Sequence, residues 1–344
     1  MLTTKGVSVK HLFSWTWRYV FWLMLFNGTV ATLYYFNIIN LKIPWLPVSV
    51  IGTAVAFYVG FKNNNAYGRL WEARKIWGGI VNDSRAWGIM VDGFITNMFT
   101  KAQKSEIEIH EIKKRLIYRH IAWLYTHRNQ LLVPTSWEHL SQSGNTKRTA
   151  RYFQKNFGLG LLDDDVTPKG LKRYLPESEY ERLINYANTA TQIINEQSRD
   201  LRELRKENLI DDFRHMRMED VLRSFYELQG KNERIKKFPL PRQYSAMSHY
   251  FVAIFIFLLP FSMVPEIMNL ASWSIWLSIP ITALVGWVYI MMEVIGDYSE
   301  NPFQGLMNDI PMMSLCRTIE IDLREMLNET DLPPAIQSVK GVLN

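Results

Sequence analysis

Apolar positions in this chain gather in two blocks, near residues 12–61 and 246–296, and a long charged stretch lies between them. A bilayer core about 30 Å thick needs a helix of roughly 20 apolar residues to cross it. Each block holds two such runs. The first, about 12–37, is dense in Trp, Phe, Leu and Tyr, and its one charge, Arg18, is near enough to its start to snorkel to the interface. The second, 43–61, carries no charge and has Pro44 and Pro47 in its first turns, where proline is tolerated. The third runs from about 247 to 264. The fourth covers about 273–295, with Glu293 as its only charge. Four such runs exceed what a soluble core buries.

The charged middle keeps a helical period. Residues 69–87 place Leu70, Ala73, Ile76, Trp77, Ile80 and Val81 on one face, and 106–125 repeat the pattern through Ile109, Ile112, Leu116, Ile117 and Ile121. A single long helix is expected over 178–207, and another over 220–230 with Gly230 as its C-cap. The stretch 145–170 is polar, with Gly158, Gly160, Asp163–Asp165 and Pro168, and reads in part as loop. No strand-like alternation dominates. The expected class is all-α: an integral membrane protein with four transmembrane helices and a helical cytosolic region. The segments are 1–61, 62–245, 246–296 and a tail of 297–344.

Composition alone points elsewhere. A mean hydropathy of -0.10 looks soluble, because it averages two unlike regions. The 12 Trp, 16 Tyr and 18 Phe suit aromatic belts at a membrane interface. Lys and Arg then give orientation. Lys5 and Lys10 precede the first run; Lys62, Arg69, Arg74 and Lys75 follow the second; Arg234, Lys236, Lys237 and Arg242 precede the third. The connection between the first two runs holds only Lys42, and 265–272 hold no basic residue. Both termini and the middle region therefore read as cytosolic. The net charge of +6 is in part this topology signal and does not call for nucleic acid as a partner. A single cysteine, Cys316, excludes an internal disulfide framework and reads as packing.

Candidate chemistry is sparse. Glu106 and His110 are four apart on one helical face, as metal ligands can be, but a di-iron helical enzyme needs a second such pair and none is present. Asp163–Asp165 lack the spaced ligands of a calcium loop. There is no glycine-rich phosphate loop and no nucleophile elbow. The chain reads as a non-enzyme without cofactor or metal. A membrane-anchored enzyme using Glu106 and His110, and a membrane scaffold without conduction, are the readings from other classes.

The second apolar run is the most informative. Thr53, Phe57 and Phe61 fall four apart on one stripe, and Gly52, Ala54, Ala56 and Gly60 are small enough for close helix packing. Periodicity alone allows an ordinary lipid-facing helix. The residues that follow, Gly60-Phe-Lys-Asn-Asn-Asn-Ala-Tyr-Gly-Arg-Leu-Trp-Glu-Ala-Arg-Lys-Ile-Trp-Gly78, resemble the signature of bacterial bestrophins. Two further blocks resemble the family in the same order. One is Gly230-Lys-Asn-Glu-Arg-Ile-Lys-Lys-Phe-Pro-Leu-Pro-Arg-Gln-Tyr244; the other is Glu300-Asn-Pro-Phe303 with Asn308-Asp-Ile-Pro311 and Arg317-Thr-Ile-Glu-Ile-Asp-Leu323.

The resemblance implies a homopentamer in the bacterial inner (plasma) membrane, surrounded by lipid, that passes monovalent ions through a central pore. Chloride is the expected cargo, and a sodium-conducting channel of the same fold is the alternative. It further implies a pore neck lined by Thr53, Phe57 and Phe61. Thr53 departs from the family's usual aliphatic residue and would make that end wetter. A cytosolic aperture would fall at Phe213, with Ile210, one turn earlier, as the alternative. Eukaryotic relatives bind calcium after the Asn-Pro-Phe block; here only Asn301 and Asp309 match, too few for a tight site. The tail 317–326 is expected to be a packing helix.

Overall fold

The computed structural model describes residues 1–3, 9–162, 171–269 and 274–344. Its helices, numbered in chain order, are α1 (Val9–Tyr35), α2 (Trp45–Phe94), α3 (Glu106–Leu132), α4 (Gly144–Phe157), α5 (Glu177–Leu183), α6 (Thr189–Lys206), α7 (Asp212–Lys237), α8 (Arg242–Met268), α9 (Ile275–Ser299) and α10 (Met312–Met326). Among the described residues, β pairing is limited to isolated bridges, Leu2 with Val342 and Val339 with Val342.

Local chemistry accounts for several helix ends. Ser105 and Glu108 form a reciprocal capping box at the start of α3. Asp211 caps α7 by accepting from the Arg214 N–H at 2.9 Å. That helix stops at Lys237 because Phe238 precedes Pro239 and is held extended.

Several boundaries differ from the sequence expectations. The segments expected as separate helices over 43–61 and 69–87 belong to one helix of 50 residues. Pro47 sits in its first turn, and no proline follows until Pro134, so nothing in the backbone ends it at the membrane boundary. The single helix expected over 178–207 is instead α5 and α6. Asn188 leaves the helical region and caps α6, accepting from the Thr191 N–H at 3.1 Å. Gly230 is interior to α7 and not a C-cap, since Ile235 and Lys236 beyond it are buried and extend the helix. Part of 145–170 forms α4, which buries Ala150 and Phe153; Asp163–Asp165 and Pro168 lie outside the described residues.

The chain divides into two compact units. One comprises 4–70 and 239–301, and its helices pack through two apolar clusters. Val48, Val55 and Val59 of α2 meet Val252, Phe255 and Leu259 of α8. Val30, Ala31 and Tyr34 of α1 meet Val264 and Ile275. Among the described residues, three helical stretches are long and apolar enough to cross a membrane: Trp45–Phe99, Arg242–Met268 and Ile275–Ser299. At 27 residues α1 is long enough but is not among them, since its Trp and Tyr count as near-neutral in hydropathy and Asn27, Thr29 and Thr32 are polar.

The other unit comprises 1–3, 71–238 and 302–344. Its centre is aromatic: Trp77, Trp87, Trp123 and Phe225 are buried, with His120 and His127 stacked among them. The α10 helix packs on α3, and Cys316 is buried within it. Residues 1–3 pair with the tail: Thr3 N–H donates to the Gly341 carbonyl at 2.9 Å and Leu343 N–H to the Met1 carbonyl at 2.8 Å.

Candidate pore-lining face

In α2 the two sides of the helix have opposite surroundings. Val48, Val55, Val59 and Ala66 are buried. Thr53 is exposed, and Phe57 and Phe61 are each 64% exposed. Exposure on this side is mixed in chemistry, because Ala54, Gly60, Asn64 and Asn65 are exposed alongside the two rings. The Thr53 hydroxyl donates to the Ser49 carbonyl at 2.9 Å, which occupies its proton on its own helix and leaves the oxygen outward as an acceptor.

The small residues do not share one role. Gly52 lies where a Cβ would come within 2.7 Å of the Phe255 ring, and its carbonyl accepts from Tyr289 OH at 3.0 Å, so close approach is needed there. A Cβ at Gly60 would meet nothing within 4 Å. Lys62 was expected among the basic residues flanking the span, yet its side chain is 1% exposed and paired with Glu293. The signal for it in the sequence was Glu293 itself, an acid inside an otherwise uncharged run.

In the other unit, Phe213 and Ile210 separate sharply. Phe213, in the first turn of α7, is 84% exposed, whereas Ile210 is fully buried. The turn that places them is anchored: Thr96 N–H donates to the Leu209 carbonyl at 3.1 Å, and Arg214 Nη1 to the Phe94 carbonyl at 3.0 Å. The Arg214 guanidinium also lies over the Phe99 ring, 4.8 Å from its centroid.

The remaining candidates stay apart. Glu106 and His110 are exposed on α3, and among the described residues no three His, Cys, Asp or Glu side chains converge as a metal site would require. Asp309 is buried, with Oδ1 accepting from the Phe303 and Ile310 N–H groups and Oδ2 from that of Gly305. Burial holds this carboxyl above its ordinary value, against the downward pull of those three donors.

The model of the bacterial/fungal bestrophin family matches residues 9–325. The chain belongs to that family. A curated relative from Escherichia coli K12, named voltage-dependent anion channel-forming protein YneE, is 24% identical over 91% of this chain and 88% of its own length. A relative of the same designation from Mesorhizobium japonicum, mll4386, is 25% identical over 84% of this chain and 76% of its own. The fold is shared with the crystal structure of a bacterial bestrophin homologue from Klebsiella pneumoniae, at a TM-score of 0.71 and 19% identity, covering 91% of this chain and 98% of that one.

Proposed function

We propose that this protein is a passive monovalent anion channel, a homopentamer in the bacterial inner membrane with Thr53, Phe57 and Phe61 of each subunit lining its neck. The observation that carries this reading is the outer face of α2. A lipid-facing surface is apolar throughout, as on α9, where Trp276, Leu277, Leu284 and Val288 are exposed. The α2 face also exposes Leu46, Val50 and Ile51, but adds the Thr53 hydroxyl, the small Ala54 and Gly60 and, just past the two rings, the amides of Asn64 and Asn65, a composition suited to a narrow passage that opens to water at one end. Five-fold symmetry turns each position into a ring. An apolar ring gates by dewetting, and the electropositive edges of Phe57 and Phe61 suit a passing anion. The named activity of the relatives points the same way.

The cytosolic aperture is assigned to Phe213 over Ile210, because only Phe213 is free to face a lumen. Four crossings with both termini cytosolic fit the pairing of residues 1–3 with 341–343. The chain leaves that unit after residue 3 and rejoins it at 71, then leaves after 238 and rejoins it at 302.

The deciding experiment is a reversal-potential measurement on the purified protein in a planar bilayer under a potassium chloride gradient. A potential displaced toward the chloride equilibrium value is expected. Displacement toward the potassium value would establish the cation-conducting alternative, and vesicles that stay sealed would remove the channel reading.

A further inference from the structure

Lys62 follows Phe61 directly but points to the other side of α2. Its Nζ lies 2.5 Å from Glu293 Oε1 on α9, and the two side chains are 1% and 8% exposed. The same oxygen accepts from Ser248 Oγ of α8 at 2.8 Å. Glu293 Oε2 is buried without a hydrogen-bond partner. Asn63 extends the contact by donating Nδ2 to the Met292 carbonyl at 2.8 Å. It fits there because residue 296 is glycine; a Cβ would come within 1.8 Å of Asn63 Oδ1. All of these residues belong to one unit.

The rest of the grip on this part of α2 is largely apolar, with Val48, Val55 and Val59 packed on Val252, Phe255 and Leu259. Apolar contact is weakly directional; direction on this stretch also comes from Gly52, which admits the Phe255 ring and accepts from Tyr289 OH, and from Tyr58 OH, which donates to the Tyr244 carbonyl at 3.1 Å. An ion pair with a shared hydroxyl donor has a fixed direction. Buried polar groups are well attested as setters of helix register, and an ionisable residue within a membrane segment is a mark of function.

We propose that the Lys62–Glu293 pair is a positioning element that sets the rotation of α2 and thereby presents Thr53, Phe57 and Phe61 to the pore. The inference rests on the pore reading above. Lys62 acts through the two rings and is not itself touched by the ion.

The test uses the full-length protein in liposomes, as wild type, Glu293→Gln, and the double variant Lys62→Met/Glu293→Gln. Glu293→Gln leaves the Lys62 charge without its counter-ion, so α2 turns and the permeability ratio of iodide to chloride changes by about tenfold. The double variant, which buries no charge but has no pair to set the rotation, stays shifted from the wild-type ratio. A second measurement needs no flux: single cysteines replacing Phe57 or Val59 are labelled with a water-soluble thiol reagent, the native Cys316 being buried. Phe57→Cys reacts faster than Val59→Cys in the wild-type background, and Glu293→Gln narrows that difference about tenfold. Unchanged permeability and labelling in Glu293→Gln overturn the proposal. A double variant that returns to the wild-type ratio also overturns it, because the effect of Glu293→Gln is then that of an unpaired buried charge and not of a lost register. Wild-type protein that passes no ions overturns the pore reading instead, and the labelling ratio then still reports whether the pair sets register.

Discussion

Tyr125 donates its phenol hydrogen to Glu320 Oε2 at 2.6 Å, tying α3 to α10 inside the unit that holds the tail. Glu320 is fully buried, and its other oxygen accepts from Tyr174 OH at 2.5 Å. The guanidiniums of Arg317 and Arg324 approach it at 3.3 and 3.4 Å. One carboxylate thus answers two phenols and two cations. Removing a single donor with Tyr125→Phe is expected to cost about 1.5–3 kcal/mol. Glu320→Ala strands both hydroxyls and takes the carboxylate from beside Arg317, while Arg324 keeps Glu329 at 2.6 Å; it is expected to cost more, on the order of 3–5 kcal/mol. Thermal melts in detergent will give this order; equal losses would show that the network does not centre on Glu320.

Acid will weaken this same unit through its histidines. His120 and His127 are buried among Trp77, Trp87 and Trp123, and burial holds them at about 3 and about 4 respectively, against an ordinary value of 6.5. Between those values the unfolded chain binds more protons than the folded one, so stability rises with pH there and falls on acidification. At pH 5 the loss relative to neutral pH is about 2 kcal/mol per histidine. Melts recorded from pH 8 to pH 5 will show it. The variant His120→Phe should reduce the slope by about half, and an unchanged slope would place the acid sensitivity elsewhere.

Calcium is not expected to act at Asp309. Both of its oxygens already accept backbone N–H groups, in a turn where Phe303 and Gly305 hold φ of 72° and 71°. A cation would have to displace those donors. Millimolar calcium should therefore leave the melting temperature and the currents unchanged, and a shift in either would reveal a site in this turn. Asp309→Ala, by contrast, should lower stability by on the order of 3 kcal/mol as three buried backbone N–H groups lose their acceptor.

What could be read from the sequence divides along physical lines. The apolar runs of α2, α8 and α9 are long and uninterrupted, and length against bilayer thickness was enough to find them. Helix ends were harder, because they depend on single side chains whose partner is not visible in a pattern. Asn188 breaks what reads as one periodic helix only because it captures the Thr191 N–H. Gly230 looked like a stop, but Ile235 and Lys236 have buried places waiting beyond it. The stripe of Thr53, Phe57 and Phe61 was legible as spacing. That Lys62 faces away from it was not, since burial of a lysine depends on Glu293, 231 positions away. The contrast between Phe213 and Ile210 likewise depends on tertiary packing, which buries one and leaves the other exposed.

Phe57, Phe61 and Phe213 give the prediction that separates a neck from an aperture. Phe57 and Phe61 lie on the apolar part of α2, where a five-membered ring of side chains would control wetting. Replacing both by alanine removes the constriction, and single-channel conductance should rise by about tenfold or more. Phe213 is 84% exposed at the start of α7, so under the proposed assignment trimming it would remove a size filter without changing the wetting of the neck. Phe213→Ala should therefore leave chloride conductance within about twofold and raise the relative permeability of larger anions. Because its side chain touches little within the subunit, the variant should also keep its melting temperature. Currents that are unchanged in Phe57→Ala/Phe61→Ala would return those rings to a lipid-facing role. A loss of stability in Phe213→Ala would show that this ring packs against another subunit instead of facing the ion path.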